Sequence, residues 1–217
     1  MPHFRKYHGL GNDYLVIDPV DWPHPMTPEA VRLICDRHTG VGSDGILHGP
    51  FQKNGRLSLR IYNPDGSIAE KSGNGIRIFS RFLQERAYVT AATFELDTDG
   101  GTVSVAYQEG PERLIRVNMG RVRFNSHAIP MTGPDREVID EVLEADGQSF
   151  RVTAVSIGNP HCVVRSDDIS EAAVRALGPL FENHAVFPER TNVQFLRVRD
   201  RHAIEIGIWE RGAGFTL

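Results

Sequence analysis

Polar side chains that could grip a small charged molecule recur in this sequence at the edges of apolar-polar alternations. Asn12 in "HGLGNDY", Asn159 and His161 in "IGNPHCV" and Asn192 in "RTNVQF" each stand where a turn gives way to such an alternation, and "WERGAG" ends one with Glu210 and Arg211. An amide offers both donor and acceptor, a carboxylate pairs with an ammonium group, and a guanidinium pairs with a carboxylate. Together the set suits a small zwitterion bearing amino and carboxylate groups. "EKSGNGIRIFSRFL", residues 70–83, adds a second carboxylate grip: Ser72 precedes a Gly73-Asn74-Gly75 hinge, after which Ile76, Phe79, Phe82 and Leu83 fall on one helical face. The first turn of a helix carries unpaired N–H groups and about half a positive charge, and the two glycines let a ligand approach the backbone. Each residue also has a plainer reading. Asparagine shapes turns, serine caps helices, and a lone histidine is most often satisfied within the fold.

Other chemistries are disfavoured. "GVGSDG", Gly40 to Gly45, fits a G-x-G-x-x-G pattern, but the helical "AVRLICDRH" precedes it and the strand-like "ILHGPF" follows, the reverse of a dinucleotide site. These glycines are expected to end a helix and shape a turn. The nine histidines show no ligand spacing, so no metal is expected. A formal net charge of -4 gives no global attraction for nucleic acid or an anionic membrane. Cys35 and Cys162 lie far apart and in no CxxC pair, which points to a reduced, cytoplasmic setting. No apolar run approaches the ~18 residues of a membrane span, and no signal-peptide core develops near the N-terminus.

The elements that must hold these residues are mostly short strands. "YLVID", "LSLRIYN", "TFELDTD", "TVSVAY", "FRVTAVSIG", "NVQFLRVRD" and "AIEIGIWE" alternate with period two and end at turn residues, implying largely antiparallel sheets. Helices are expected at "TPEAVRLICDRH", capped by Thr27 with Pro28 behind it, after Gly75, and at "SEAAVRALGPLF", capped by Ser170. Weaker patterning after residue 117 places a domain boundary between residues 1–117 and 118–217. The two parts share a faint repeat: "LRIYN" leads through a glycine loop to Ser72, nine positions after Asn63, while "EIGIWE" leads into "RGAGFTL".

The motifs "KYHGLGNDYLVID", "YNPDGSIAEKSGNGIRIFSRF", "IGNPHCVV", "TNVQF" and "ERGAG", spread in order from residue 6 to residue 214, resemble those of the diaminopimelate epimerases. The resemblance implies an α+β fold of two pseudo-symmetric domains, each a curved sheet around a central helix, with substrate between them. It implies cofactor-free interconversion of LL- and meso-diaminopimelate, in lysine and peptidoglycan biosynthesis, by proton transfer at Cα. It assigns Asn12, Asn63, Asn159 and Asn192 as substrate-binding amides and Gly73 with Asn74 as the carboxylate grip. Glu210 and Arg211 would hold the reacting amino-acid end, and His161 with Glu210 would tune the catalytic thiols. The partner implied is a small amino acid, and the family leaves room for a homodimer.

The departures concern the reacting groups. Ser72 stands where the family has its first catalytic cysteine, Gly45 where many members have glutamine, and Phe215 where glutamate is usual. The second cysteine would be expected at position 219, so the chain reads as ending before it and before the second domain's central helix. On that reading "VQFLRV" and "AIEIGIW" lack a packing partner. Cys35 and Cys162 read as small buried apolar residues. An unassisted hydroxyl is a far weaker acid than a thiol of pKa ~8.5, and no activating base stands near Ser72 in the sequence. The expected outcome is a helix cap at Ser72 and no useful exchange of an α-hydrogen. Two alternatives follow from the missing thiols: an epimerase or racemase of another amino acid, or a non-catalytic amino-acid-binding homologue.

Overall fold

Three hydroxyl side chains start the three α-helices found among the described residues. Thr27 accepts from the Ala30 N–H ahead of α1 (Pro28–Cys35), Ser72 from the Gly75 N–H ahead of α2 (Gly73–Glu85), and Ser170 from the Ala173 N–H ahead of α3 (Glu171–Glu182). Helix α2 therefore begins at Gly73, and the expected glycine hinge is its first turn. The glycines of "GVGSDG" do end α1: the N–H groups of Val41, Gly42 and Ser43 bond to the carbonyls of Ile34 and Cys35. A Cβ on Gly40 would lie 2.0 Å from the Leu33 carbonyl oxygen, so no other residue fits there.

The computed structural model describes residues 3–53, 55–110 and 114–216. The chain forms two units, Met1–Gly120 and Arg121–Leu217. Unit 1 holds strands β1 (Arg5–Gly9), β2 (Asn12–Ile17), β3 (Ile46–Lys53), β4 (Arg56–Tyr62), β5 (Ile68–Ala69), β6 (Thr93–Thr98), β7 (Gly101–Tyr107) and β8 (Ile115–Asn118). They form one sheet in the order β1-β2-β3-β4-β6-β7-β8, with β5 on β4. Helix α2 touches β1, β2, β3 and β8, the two ends of this path included, so the sheet curls around it. Ile76, Phe79, Phe82 and Leu83 of α2 pack with Tyr14, Val16, Leu47, Leu59 and Ile61, while Val31 and Cys35 of α1 pack with Leu15, Ile17, Ile46 and Tyr62 on the opposite face.

Unit 2 begins with a 3-10 turn at Ser126–Ala128 and continues with β9 (Glu141–Ala145), β10 (Gln148–Ser156), β11 (Pro160–Arg165), β12 (Asn192–Val198), β13 (Ile204–Glu210) and β14 (Gly214–Thr216). Its sheet runs β14-β13-β12-β11-β10-β9. The sequence β1-β2-α1-β3-β4-β5 recurs here as β10-β11-α3-β12-β13-β14. In both, an antiparallel hairpin precedes a parallel pair bridged by a helix, and two antiparallel strands follow. The faint repeat of the sequence is thus a repeat of topology. Registers align it residue by residue: Leu15, Ile46 and Tyr62 form one row, and Cys162, Val193 and Trp209 form its counterpart. Asn12 then matches Asn159, Tyr14 matches His161, Gly45 matches Asn192, and Asn63 matches Glu210.

The expectation that "VQFLRV" and "AIEIGIW" lack packing is corrected for half of their side chains. Val193, Phe195 and Trp209 lie against Val174, Leu177 and Phe181 of α3, in a core joined by Ile129, Met131 and Val138. The alternate residues point the other way, where among the described residues no α-helix lies, and Ile204 and Ile206 are 62% and 50% exposed. Period-two alternation alone does not reveal that a strand carries an apolar group on each face. The helix contact is close: a Cβ on Gly178 would sit 2.5 Å from Trp209 Cγ. Gly178→Ala is expected to cost about 1–3 kcal/mol by overpacking, and calorimetry should show a lowered melting transition. An unchanged transition would mean that α3 is not held tightly against Trp209.

Candidate active site

The strand registers gather the selected polar residues at one end of each sheet. In unit 1, Asn12 opens β2, Asn63 follows β4, and the N-terminus of α2 comes three residues after β5. Asn12 is 1% exposed; its Nδ2 donates to Asp44 Oδ2 at 3.2 Å, and its Oδ1 stands 3.5 Å from Asn74 Nδ2. Asn74 Oδ1 accepts from Arg77, one turn along α2. Asp44 also accepts from the Asp13 N–H, and Arg37 bridges Asp44 to Asp13, so the loop after α1 fixes the Asn12 amide. Burial would raise the Asp13 carboxyl, but hydrogen bonds from Arg37 and Lys6 outweigh it and hold it at about 2. Asn63 is buried and bonds to Ser67 Oγ across the "NPDGS" turn.

Ser72 does more than cap. Its Oγ accepts from the Gly75 N–H at 3.0 Å and lies 3.1 Å from the hydroxyl of Tyr14, a residue 58 positions away and 3% exposed. The sequence places no partner beside Ser72; the fold brings the Tyr14 hydroxyl to it. A Cβ on Gly73 would meet nothing within 4 Å, so the helix start is open, whereas Gly75 is closed off by Leu47 and Ser72. Room beside the backbone is therefore at Gly73, and the absent side chain of Gly75 serves packing.

In unit 2, His161 and Asn192 are register partners at the start of β11 and β12, and Glu210 with Arg211 ends β13. The His161 ring lies between Asn159 Oδ1, 3.0 Å from Nε2, and Gln194 Oε1, 3.3 Å from Nδ1. Burial lowers its pKa first; the Gln194 hydrogen bond opposes that and the Arg211 charge adds to it. A neutral ring donates from one nitrogen only, so one of the two amides must turn its NH2 toward the other. Asn192 ties strands together: its Nδ2 donates to the Pro160 carbonyl at 2.9 Å and its Oδ1 accepts from the Arg211 N–H at 3.1 Å. Arg211 is 7% exposed and donates to the Glu189 carbonyl. Cys35 and Cys162 are both buried, Cys162 pushed up to about 12 by burial alone, and neither lies at a helix start.

A family model, diaminopimelate epimerase, matches residues 4–125 and 153–217. The chain belongs to that family. Diaminopimelate epimerase 2 of Nostoc sp. (strain PCC 7120) is 53% identical over 215 residues, covering 99% of this chain and 75% of that protein. The diaminopimelate epimerase of Pelotomaculum thermopropionicum is 43% identical over 224 residues, covering 99% and 78%. Among solved structures, a hydroxyproline epimerase from Agrobacterium vitis has a TM-score of 0.68 at 14% identity, covering 95% of this chain and 69% of that one. A probable proline racemase from Agrobacterium radiobacter K84 has a TM-score of 0.69 at 15% identity, covering 95% and 70%. At such identities these two likenesses concern the fold alone.

Sequence reasoning missed four residues of this epimerase family member's candidate site. Tyr14 has one available signal, since it lies two residues after Asn12 and so on the same strand face. Gln194 bears the same relation to Asn192. Asp44 gives no local signal. Glu182 reads as a solvated helix residue, yet it is 6% exposed and accepts from Trp209 Nε1, Arg190 and the Gly212 N–H, holding the "RGAG" turn to α3. The His161 geometry carries a titration prediction. Because the folded-state pKa is depressed, its contribution is fully present above the ordinary 6.5 and erodes as pH falls below it. NMR titration should show Gln194→Leu moving the His161 midpoint further down and Arg211→Met moving it up; equal or reversed shifts would refute the assigned causes.

Proposed function

We propose that this chain is an amino-acid epimerase of the diaminopimelate type, acting by cofactor-free proton transfer at Cα in the cytosol. The observation that carries the reading is the start of α2, where a hydroxyl, an open glycine backbone and the Asn12–Asn74 amide pair converge in a chain of this family. The Gly73 and Asn74 N–H groups suit the substrate carboxylate, aided by the helix dipole. In unit 1, Asn12 and Asn63 supply donors and acceptors suited to a diamino diacid; in unit 2, Asn159 and the Nδ2 hydrogen that Asn192 keeps beyond its bond to Pro160 are of the same kind. Glu210 suits an ammonium group and Arg211 a carboxylate, and His161 beside them is the neutral group that could adjust a neighbouring acid. No nucleic acid or membrane partner enters the proposal, which leaves room for a homodimer.

A second reading has its own support. Ser72 Oγ is a helix cap by geometry and, among the described residues, no thiol stands at a helix start, which favours an amino-acid-binding homologue without catalysis. Two measurements separate the readings. Meso-diaminopimelate should raise the melting temperature more than histidine or shorter diamino acids, and NMR in heavy water should show protein-dependent loss of its α-hydrogen signal. Ser72→Ala should slow that exchange by at least about 100-fold, the usual lower bound for a lost acid-base group, while keeping the ligand-induced melting shift. Binding without any exchange would establish the second reading. A melting shift only with another amino acid would overturn the choice of substrate.

A further inference from the structure

Two hydrogen bonds at one oxygen decide what Ser72 can do. A hydroxyl has one hydrogen to give and two lone pairs to fill. The Gly75 N–H can only donate, so it occupies one lone pair of Ser72 Oγ at 3.0 Å. The remaining lone pair and the hydrogen serve Tyr14, at 3.1 Å, and any group that reaches the half-buried Ser72 beside Gly73, where a Cβ would meet nothing within 4 Å. Tyr14 packs in the core with Ile76 and Phe79 of α2, so its hydroxyl has a fixed approach to Ser72.

We propose, resting on the epimerase reading above, that Tyr14 is a positioning residue whose proton sets Ser72 as acid or base on the α2 face of the substrate. With the phenol protonated, Tyr14 donates to Ser72 Oγ, both serine lone pairs are filled, and the serine hydrogen points outward as a proton donor. With Tyr14 as phenolate, the serine hydrogen turns back to it, and the freed lone pair faces the substrate. In the acid direction the Ser72 O–H bond breaks as the Cα–H bond forms, while the Tyr14 proton passes to Ser72 Oγ and the negative charge of the carbanion ends on the phenolate. The base direction is the exact reverse in atoms and charge. No alkoxide has to persist: the charge rests on a phenol, a much stronger acid than an aliphatic hydroxyl. The relay supplies one face only, so it predicts exchange of the α-hydrogen without requiring inversion from this face alone.

The test uses the full chain and meso-diaminopimelate in heavy water, read by NMR from about pH 7 to 11. Wild-type exchange should rise with pH about tenfold per unit toward the phenol range. Tyr14→Phe keeps the ring and its packing; it should lower exchange at least about 100-fold and abolish that slope, with the ligand-induced melting shift unchanged. The double variant Tyr14→Phe/Ser72→Cys should regain exchange, because a thiol carries its own charge and needs no phenol behind it. If Tyr14→Phe exchanges like the wild type with the same pH slope, the positioning role is overturned while the epimerase reading stands. If the double variant stays as inactive as Tyr14→Phe, Tyr14 acts structurally and the relay is likewise overturned. Binding without exchange in the wild type itself would remove both the relay and the reading beneath it.

Discussion

Parallel strands cannot be joined by a tight turn, and that constraint organises both halves of this chain. The chain must leave the end of β2, cross over through α1 and re-enter beside it as β3; β11, α3 and β12 repeat the manoeuvre. Each crossover returns the chain to the end of the sheet where it entered, so the starts of the two parallel strands lie side by side. An antiparallel strand then comes back to the same end. Asn12, Gly45 and Asn63 are neighbours in unit 1 for this reason, and Asn159, Asn192 and Glu210 in unit 2. A second crossover, from β4 through α2 to parallel β6, leaves the N-terminus of α2 at that end as well. Helical N–H groups and strand-edge amides meet there because of connectivity, before any particular side chain is considered.

The side chains then differentiate two copies of one plan. Cys35 in α1 faces the row that contains Tyr62, while Gly178 in α3 makes room for the larger Trp209. Glu182 extends that adaptation by accepting the Trp209 indole N–H and the Gly212 N–H together. The halves are therefore alike in topology and individually fitted, and a single residue exchanged between them would meet the wrong neighbour.

What the sequence disclosed follows from how local each signal is. Thr27, Ser72 and Ser170 announced the helices because a cap needs only an oxygen within three residues of its N–H. The strands were legible through alternation, and the polar candidates through their places at strand borders. The Tyr14–Ser72 contact was not, because it depends on β2 lying beneath the start of α2, a relation between residues 58 apart. Asn192 illustrates the converse: its type suggested an outward-facing amide, yet both ends of that amide hold strands together. The two sides of "VQFLRV" could not be told apart either, since both carry apolar groups and only tertiary packing covers one of them.

That the α2 cap is an oxygen and not a sulfur also bears on the chemical durability of this position. Thiolates at helix starts are the form that peroxide and alkylating reagents attack, and oxidation beyond the sulfenic stage is largely irreversible. Here the hydroxyl of Ser72 has no such ladder to climb. The two sulfurs of Cys35 and Cys162 are enclosed, and burial keeps both thiols protonated. At the α2 cap, oxidative stress would therefore meet no sulfur to modify, and the state of that group does not follow the redox poise around it.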